Sequence, residues 1–130
     1  METADLLIAE IKASCPCMMG FAFSPDSRYL GVTTCMIWFC ELWDTQSGKC
    51  VNVFPQHAMG CGFVGSGKQI VVSEHENINL WSLDDPKDPV LKYKPPPEIT
   101  VPNCIIPSPD SRHFVITGAF AEHLALYAVD

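Results

Sequence analysis

The pentapeptide Ser24-Pro25-Asp26-Ser27-Arg28 occurs a second time as Ser108-Pro109-Asp110-Ser111-Arg112, 84 residues further along the chain. Between the two lies Val64-Gly65-Ser66-Gly67-Lys68, at offsets of 40 and 44. A chain that uses one kind of turn three times at this interval builds similar units side by side, because each unit is too small to bury its apolar face alone. The distance from turn to aromatic recurs as well: Ser24 to Trp43 is 19 residues, Ser108 to Tyr127 is 19, and Val64 to Trp81 is 17. With 130 residues, 48% of them hydrophobic and 18% charged, the chain has material for one compact core and is not globally disordered.

Short β-rich runs lie between these turns. The pattern predicts strands over 18–23, 29–34, 36–43 and 49–54, then 59–64, 69–73, 78–83 and 90–93, then 101–106, 113–117 and 124–129. Pro at the second turn position presets φ, while Ser and Asp side chains bond the turn backbone. Residues 6–13 are ambiguous. Leu7, Ile8 and Ile11 fall at helical spacing, yet Leu7, Ala9, Ile11 and Ala13 alternate.

Phe23-Ser24-Pro25-Asp26-Ser27-Arg28-Tyr29-Leu30, followed by Glu41-Leu42-Trp43-Asp44, resembles a WD40 repeat. Ile78-Asn79-Leu80-Trp81-Ser82 is similar to the same strand of a second repeat, and Leu124-Ala125-Leu126-Tyr127 is a weaker third. The resemblance implies an all-β fold of about three four-stranded antiparallel sheets, the blades of a partial or open β-propeller. The chain is then a single domain with blade segments at about 6–54, 55–94 and 95–130. In that register 6–13 is an outer strand of a preceding blade, which brings the strand total to twelve. Three such blades are too few to close a ring, since propellers commonly use four to eight. Self-association to complete a propeller and a fragment or capping segment of a larger array both stay open.

The family's blades are stiffened by a buried network of Trp, Ser or Thr, His and Asp. Carried over by position, Trp43 and Thr33 match in the first repeat, Trp81 and Ser73 in the second, and Tyr127 and Thr117 in the third. The Asp positions hold Ile37, His75 and Ala121. No repeat has the whole set, so a softer stack is expected.

The function implied by the resemblance is a protein–protein interaction scaffold that presents its loops to a protein or peptide partner, with no catalysis. The loops on that face are 34–37, 54–58, 74–77, 95–102 and 119–122, which makes His57, His75, Glu76, Pro96, Phe120 and Glu122 the candidate partner-binding residues. His57, His75 and Glu76 also invite an acid–base reading as a hydrolase-like enzyme, set against plain loop residues. Cys15-Pro16-Cys17 with Cys35, Cys40 and Cys61 invites zinc. Only the Cys35 and Cys40 spacing suits it, so packed thiols are expected and no metal or cofactor is implied. Pro95-Pro96-Pro97 reads either as a polyproline ligand or as a stiff loop. Arg28, Lys68 and Arg112 share one turn position and read as solvated turn residues or a small basic row.

Asp and Glu outnumber Lys and Arg by 15 to 8, for a net charge of −7. That balance disfavours nucleic acid and anionic membranes. No apolar run reaches the roughly 20 residues that cross a bilayer. Seven cysteines, mostly within apolar runs and without a signal peptide, point to reduced thiols in a cytoplasmic or nuclear protein, cytoplasm favoured.

Overall fold

Two copies of one hydrogen-bonded turn set the spacing of the fold. Ser24 Oγ accepts the Tyr29 N–H at 2.9 Å and donates to Asp26 Oδ1 at 2.6 Å, and Asp26 Oδ1 accepts the Arg28 N–H at 3.0 Å. Ser108 and Asp110 repeat these bonds with His113 and Arg112 at 3.1, 2.5 and 3.0 Å. Ser27 and Ser111 take the left-handed conformation in their respective turns, at φ of 62° and 60°. The middle turn has no such side chains. It is a short 3-10 turn over Gly65–Gly67 whose three residues all have positive φ, which the two glycines adopt without steric cost.

The computed structural model describes residues 7, 10–12, 18–34, 39–54, 58–74, 76–118 and 122–129. It holds eleven strands among them: β1 Met18–Phe23, β2 Tyr29–Thr34, β3 Cys40–Asp44, β4 Lys49–Phe54, β5 Gly60–Val64, β6 Gln69–Ser73, β7 Ile78–Ser82, β8 Leu91–Tyr93, β9 Cys104–Pro107, β10 His113–Thr117 and β11 Ala125–Ala128. They form three antiparallel sheets, β1-β2-β3-β4, β5-β6-β7-β8 and β9-β10-β11, each from one contiguous stretch of chain. Among the described residues no strand pairs across sheets.

The middle sheet is buried on both faces. On one side Cys61, Phe63, Ile70, Val72 and Trp81 pack with Cys40, Leu42 and Phe54 of the first sheet. On the other, Val64, Val71, Ile78 and Leu80 pack with Ile105, Phe114 and Ile116 of the third sheet, and with Ile99. This two-sided burial explains why β5 to β7 read as nearly unbroken apolar runs. The sheets approach most closely at their first strands, β1 against β5 and β5 against β9. Glycine makes that possible: a Cβ on Gly60 would lie 2.8 Å from the Asn103 carbonyl oxygen.

Three expectations change. The strand predicted over 101–106 begins at Cys104, because Pro102 has no N–H and Asn103 N–H turns back to the Val101 carbonyl at 2.8 Å. The predicted strand over 6–13 is not formed by its described members, Leu7, Glu10, Ile11 and Lys12, so the third sheet has three strands. The propeller expectation is corrected to three sheets in an open row. The far faces of the first and last sheets carry exposed apolar side chains, among them Phe21 and Leu126, instead of meeting each other.

Candidate functional site

A groove of about 810 Å³ lies between the β6–β7 turn and the segment that leads from β8 to β9. Glu76 and Asn77 line one side; Lys94, Pro95, Pro96, Pro97, Ile99 and Thr100 line the other. Both walls are held by named bonds. The turn is closed twice, by Glu74 N–H to the Asn77 carbonyl at 2.9 Å and by Asn77 Nδ2 to Glu74 Oε1 at 3.3 Å, which leaves Glu76 exposed at its tip.

The proline wall is fastened at both ends and in the middle. Tyr127 Oη donates to the Lys94 carbonyl at 2.8 Å. Burial raises the Tyr127 phenol above its ordinary pKa of 10.0, so it remains a donor well into alkaline solution. At the far end the buried Ser73 hydroxyl donates to the Pro102 carbonyl. Between them Ile99 N–H reaches the Pro96 carbonyl at 3.0 Å, and the Ile99 side chain is buried in the core. Three consecutive prolines have fixed φ and little entropy left to lose when something binds. The groove offers an apolar wall beside one carboxylate, one ammonium, a side-chain amide and a hydroxyl. Such a lining suits binding of a mixed polar and apolar segment.

The structure brings two of the predicted partner-binding residues, Glu76 and Pro96, to this groove. Glu122 is exposed in the β10–β11 connection and is not among the lining residues. His57, His75 and Phe120 lie outside the described residues. Lys94 is a groove residue that sequence reasoning missed, while Asn77 and Ile99 lie in the 74–77 and 95–102 loops it placed on the binding face without singling them out. Their adjacency follows from sheet packing, which no local pattern records.

No protein-family profile matches the chain, and no curated protein matches it. Among solved structures it is similar to a chain of hydrazine synthase from Kuenenia stuttgartiensis, with a TM-score of 0.68 at 15% identity. The match covers 85% of this chain and 34% of that one, so this chain spans about a third of that protein's length. The WD40 assignment does not stand. The likeness is to hydrazine synthase instead, and at this identity it speaks to the fold alone. In all, 425 solved chains match, so the sheet arrangement recurs too widely to select a function.

The residues assigned to the family's buried network show why the motif misled. Trp43 Nε1 donates to Glu41 Oε2 at 3.2 Å, within one strand. The Trp81 ring packs on Phe54 at 5.1 Å, while its buried Nε1 and the Thr33 hydroxyl have no hydrogen-bond partner among the described residues. Ser73 and Tyr127 serve the proline wall, and Thr117 Oγ1 donates to the His123 carbonyl at 3.0 Å. These six side chains sit at matching strand positions, and the remaining positions of the expected network, Ile37, His57, His75 and Ala121, lie outside the described residues. Spacing located the strands, and it could not supply the missing acids and histidines.

The remaining candidates resolve simply. Cys40 and Cys61 are buried, and the hydrogen bond that the Cys40 thiol gives to Cys61, then burial, hold that thiol well above its ordinary value, hence protonated. Cys15, Cys17 and Cys35 lie outside the described residues, and Cys50, which is not among the expected packed thiols, is exposed. Among the described residues no cluster of three or more His, Cys, Asp or Glu has a metal-binding arrangement. Arg28 is bonded through Nε and Nη2 to Asp44 Oδ2 at 3.1 and 3.0 Å, so it is not a free member of a basic row. Among the described residues no helix is long and apolar enough to cross a membrane.

Proposed function

We propose that this chain is a protein-interaction module that seats an extended segment of a protein partner in the groove between Glu76 and the 94–100 wall, and performs no chemistry on it. The observation that carries the reading is the double fastening of the proline wall by Tyr127 and Ser73. A binding surface built this way is ordered before its ligand arrives, which lowers the entropy cost of association. The partner segment places apolar side chains against Pro95–Pro97. It sets a basic group against Glu76 and an acidic group against Lys94. A net charge of −7 keeps nucleic acid away while leaving this local mixed pattern intact. The cytoplasm or nucleus is the compartment in keeping with free thiols at Cys40, Cys50, Cys61 and Cys104.

The test is proximity capture from native extract with a photo-crosslinking residue at Pro97, followed by affinity measurement with the captured partner. Glu76→Arg and Pro96→Gly are expected to weaken binding about tenfold or more each, a loss of roughly 1.4 kcal/mol typical of a contact at the centre of an interface. Folding should persist, because Glu76 is exposed and Pro96 is only half-buried. Equal affinity of wild type and both variants, or a folded protein that captures no specific partner, ends the proposal.

A further inference from the structure

The register of the three sheets repeats rung by rung. Ala22–Gly31–Leu42 forms one cross-strand row in the first sheet, Gly62–Val71–Leu80 the same row in the second, and Ile106–Val115–Leu126 the same row in the third. In the first two sheets this row is covered by the next sheet: Gly31 meets Cys61 and Phe63, and Gly62 meets Ile105 and Pro107. In the third sheet no described strand covers the row. Ile106 is 58% exposed and Leu126 69% exposed. The covering side chains are equivalent too. Cys61 and Phe63 pair with Val72 and Ile70, and Ile105 and Pro107 pair with Ile116 and Phe114. Their counterparts in the first sheet are Phe21 and Phe23, paired with Val32 and Leu30. These two rings are 60% and 64% exposed and face away from the second sheet.

We infer that a second copy of this chain docks head to tail, with Phe21 and Phe23 of one copy against the Ile106–Val115–Leu126 row of the other. On the β1 side the contact repeats the geometry already used twice inside the chain, and that repetition argues for a second copy as the occupant. Val32 and Glu41, further along the face that bears Phe21, are already buried, which confines the contact to the β1 side. The internal sheets also approach most closely there. Ile106 is larger than Ala22 or Gly62 and holds the copies further apart; Phe21, larger than Cys61, fills the added gap. The two patches are different surfaces, so the contact is heterologous and each copy keeps one free patch, from which a ring or a filament grows. An exposed apolar row of this kind is also costly to leave in water.

Sedimentation velocity of the full chain over a concentration series tests this. Wild type is expected to sediment as multiples of the chain mass. Phe21→Glu/Phe23→Glu and Ile106→Glu/Leu126→Glu should each sediment as single chains, at least about a twofold drop in mass. All four positions are exposed, and an unchanged circular dichroism spectrum confirms that the variants fold. Mixing the two double variants leaves one intact patch on each and should give a one-to-one heterodimer and nothing larger. A folded wild type that stays monomeric throughout overturns the inference and hands the row to a different occupant, as does a mixture that remains monomeric. Variants that still assemble separately overturn it as well, because the contact then lies elsewhere.

Discussion

Phe114 is the side chain whose removal should hurt most. Its ring is fully buried between the second and third sheets. It stacks on Tyr127 at 5.2 Å with an interplanar angle of 15°, and meets Tyr93 edge-on at 5.3 Å. Tyr93 and Tyr127 also cross between the sheets by donating to the Ala128 and Lys94 carbonyls at 3.1 and 2.8 Å. Phe114→Ala forfeits about 2 kcal/mol of apolar transfer. The cavity it leaves adds about 2 kcal/mol, and the two aromatic pairs about 0.5 kcal/mol or more each. The expected loss is therefore about 5 kcal/mol in urea unfolding, a large part of the roughly 6–20 kcal/mol a chain of this length has in total. Phe114→Leu, which keeps most of the volume, should cost only about 1–1.5 kcal/mol. Because the ring touches nothing in the first sheet, hydrogen exchange should quicken at Ile99 and across β9–β11. The Thr45 N–H, bonded to the Arg28 carbonyl in the first sheet, should open less. A Phe114→Ala loss under about 1 kcal/mol, or faster exchange confined to the first sheet, would refute the argument that this cluster joins the sheets.

Ser73→Ala removes the bond to the Pro102 carbonyl and is expected to cost about 1–2 kcal/mol and to weaken partner binding, read by urea midpoint and titration together. Gly60→Ala forces a Cβ to within 2.8 Å of the Asn103 carbonyl oxygen, and backbone there cannot yield cheaply; a loss of about 1–3 kcal/mol in thermal unfolding is expected. The Arg28 guanidinium, with the Ser47 and Gln46 N–H groups, holds the Asp44 carboxyl below its ordinary 3.8. Its stabilisation is thus complete above pH 3.8 and is lost as pH falls through the lower folded value. Asp44→Asn should accordingly be less stable than wild type at neutral pH and show a shallower acid limb in urea midpoints measured across that range.

The strand positions were legible because the signals are local. Tyr29–Thr34, Lys49–Phe54, Gln69–Ser73 and His113–Thr117 form over the predicted residues, each bounded by a turn whose bonds reach only a few positions along the chain. The fastening of the proline wall was not legible. Ser73 and Pro102 are 29 residues apart, and Tyr127 and Lys94 are 33 apart. The register of Ser73 and Tyr127 assigns them to a blade network, and gives no sign of the carbonyls of Pro102 and Lys94 that they bond. Glu41 was open to detection as the partner of Trp43, since two residues apart in a strand means the same face.

By itself the sequence determined that this chain is all-β, that turns recur at three regular intervals with two of them alike, and where most strands begin and end. Those properties follow from φ preferences, hydroxyl and carboxylate bonds to nearby N–H groups, and alternation of side chains, all of which act over a handful of residues. Only the tertiary structure decided that the middle sheet is buried on both sides, that the row stays open, and that Glu76 faces the prolines across a groove. Those outcomes depend on which faces meet when sheets pack, and equal spacing in sequence is compatible with several such packings.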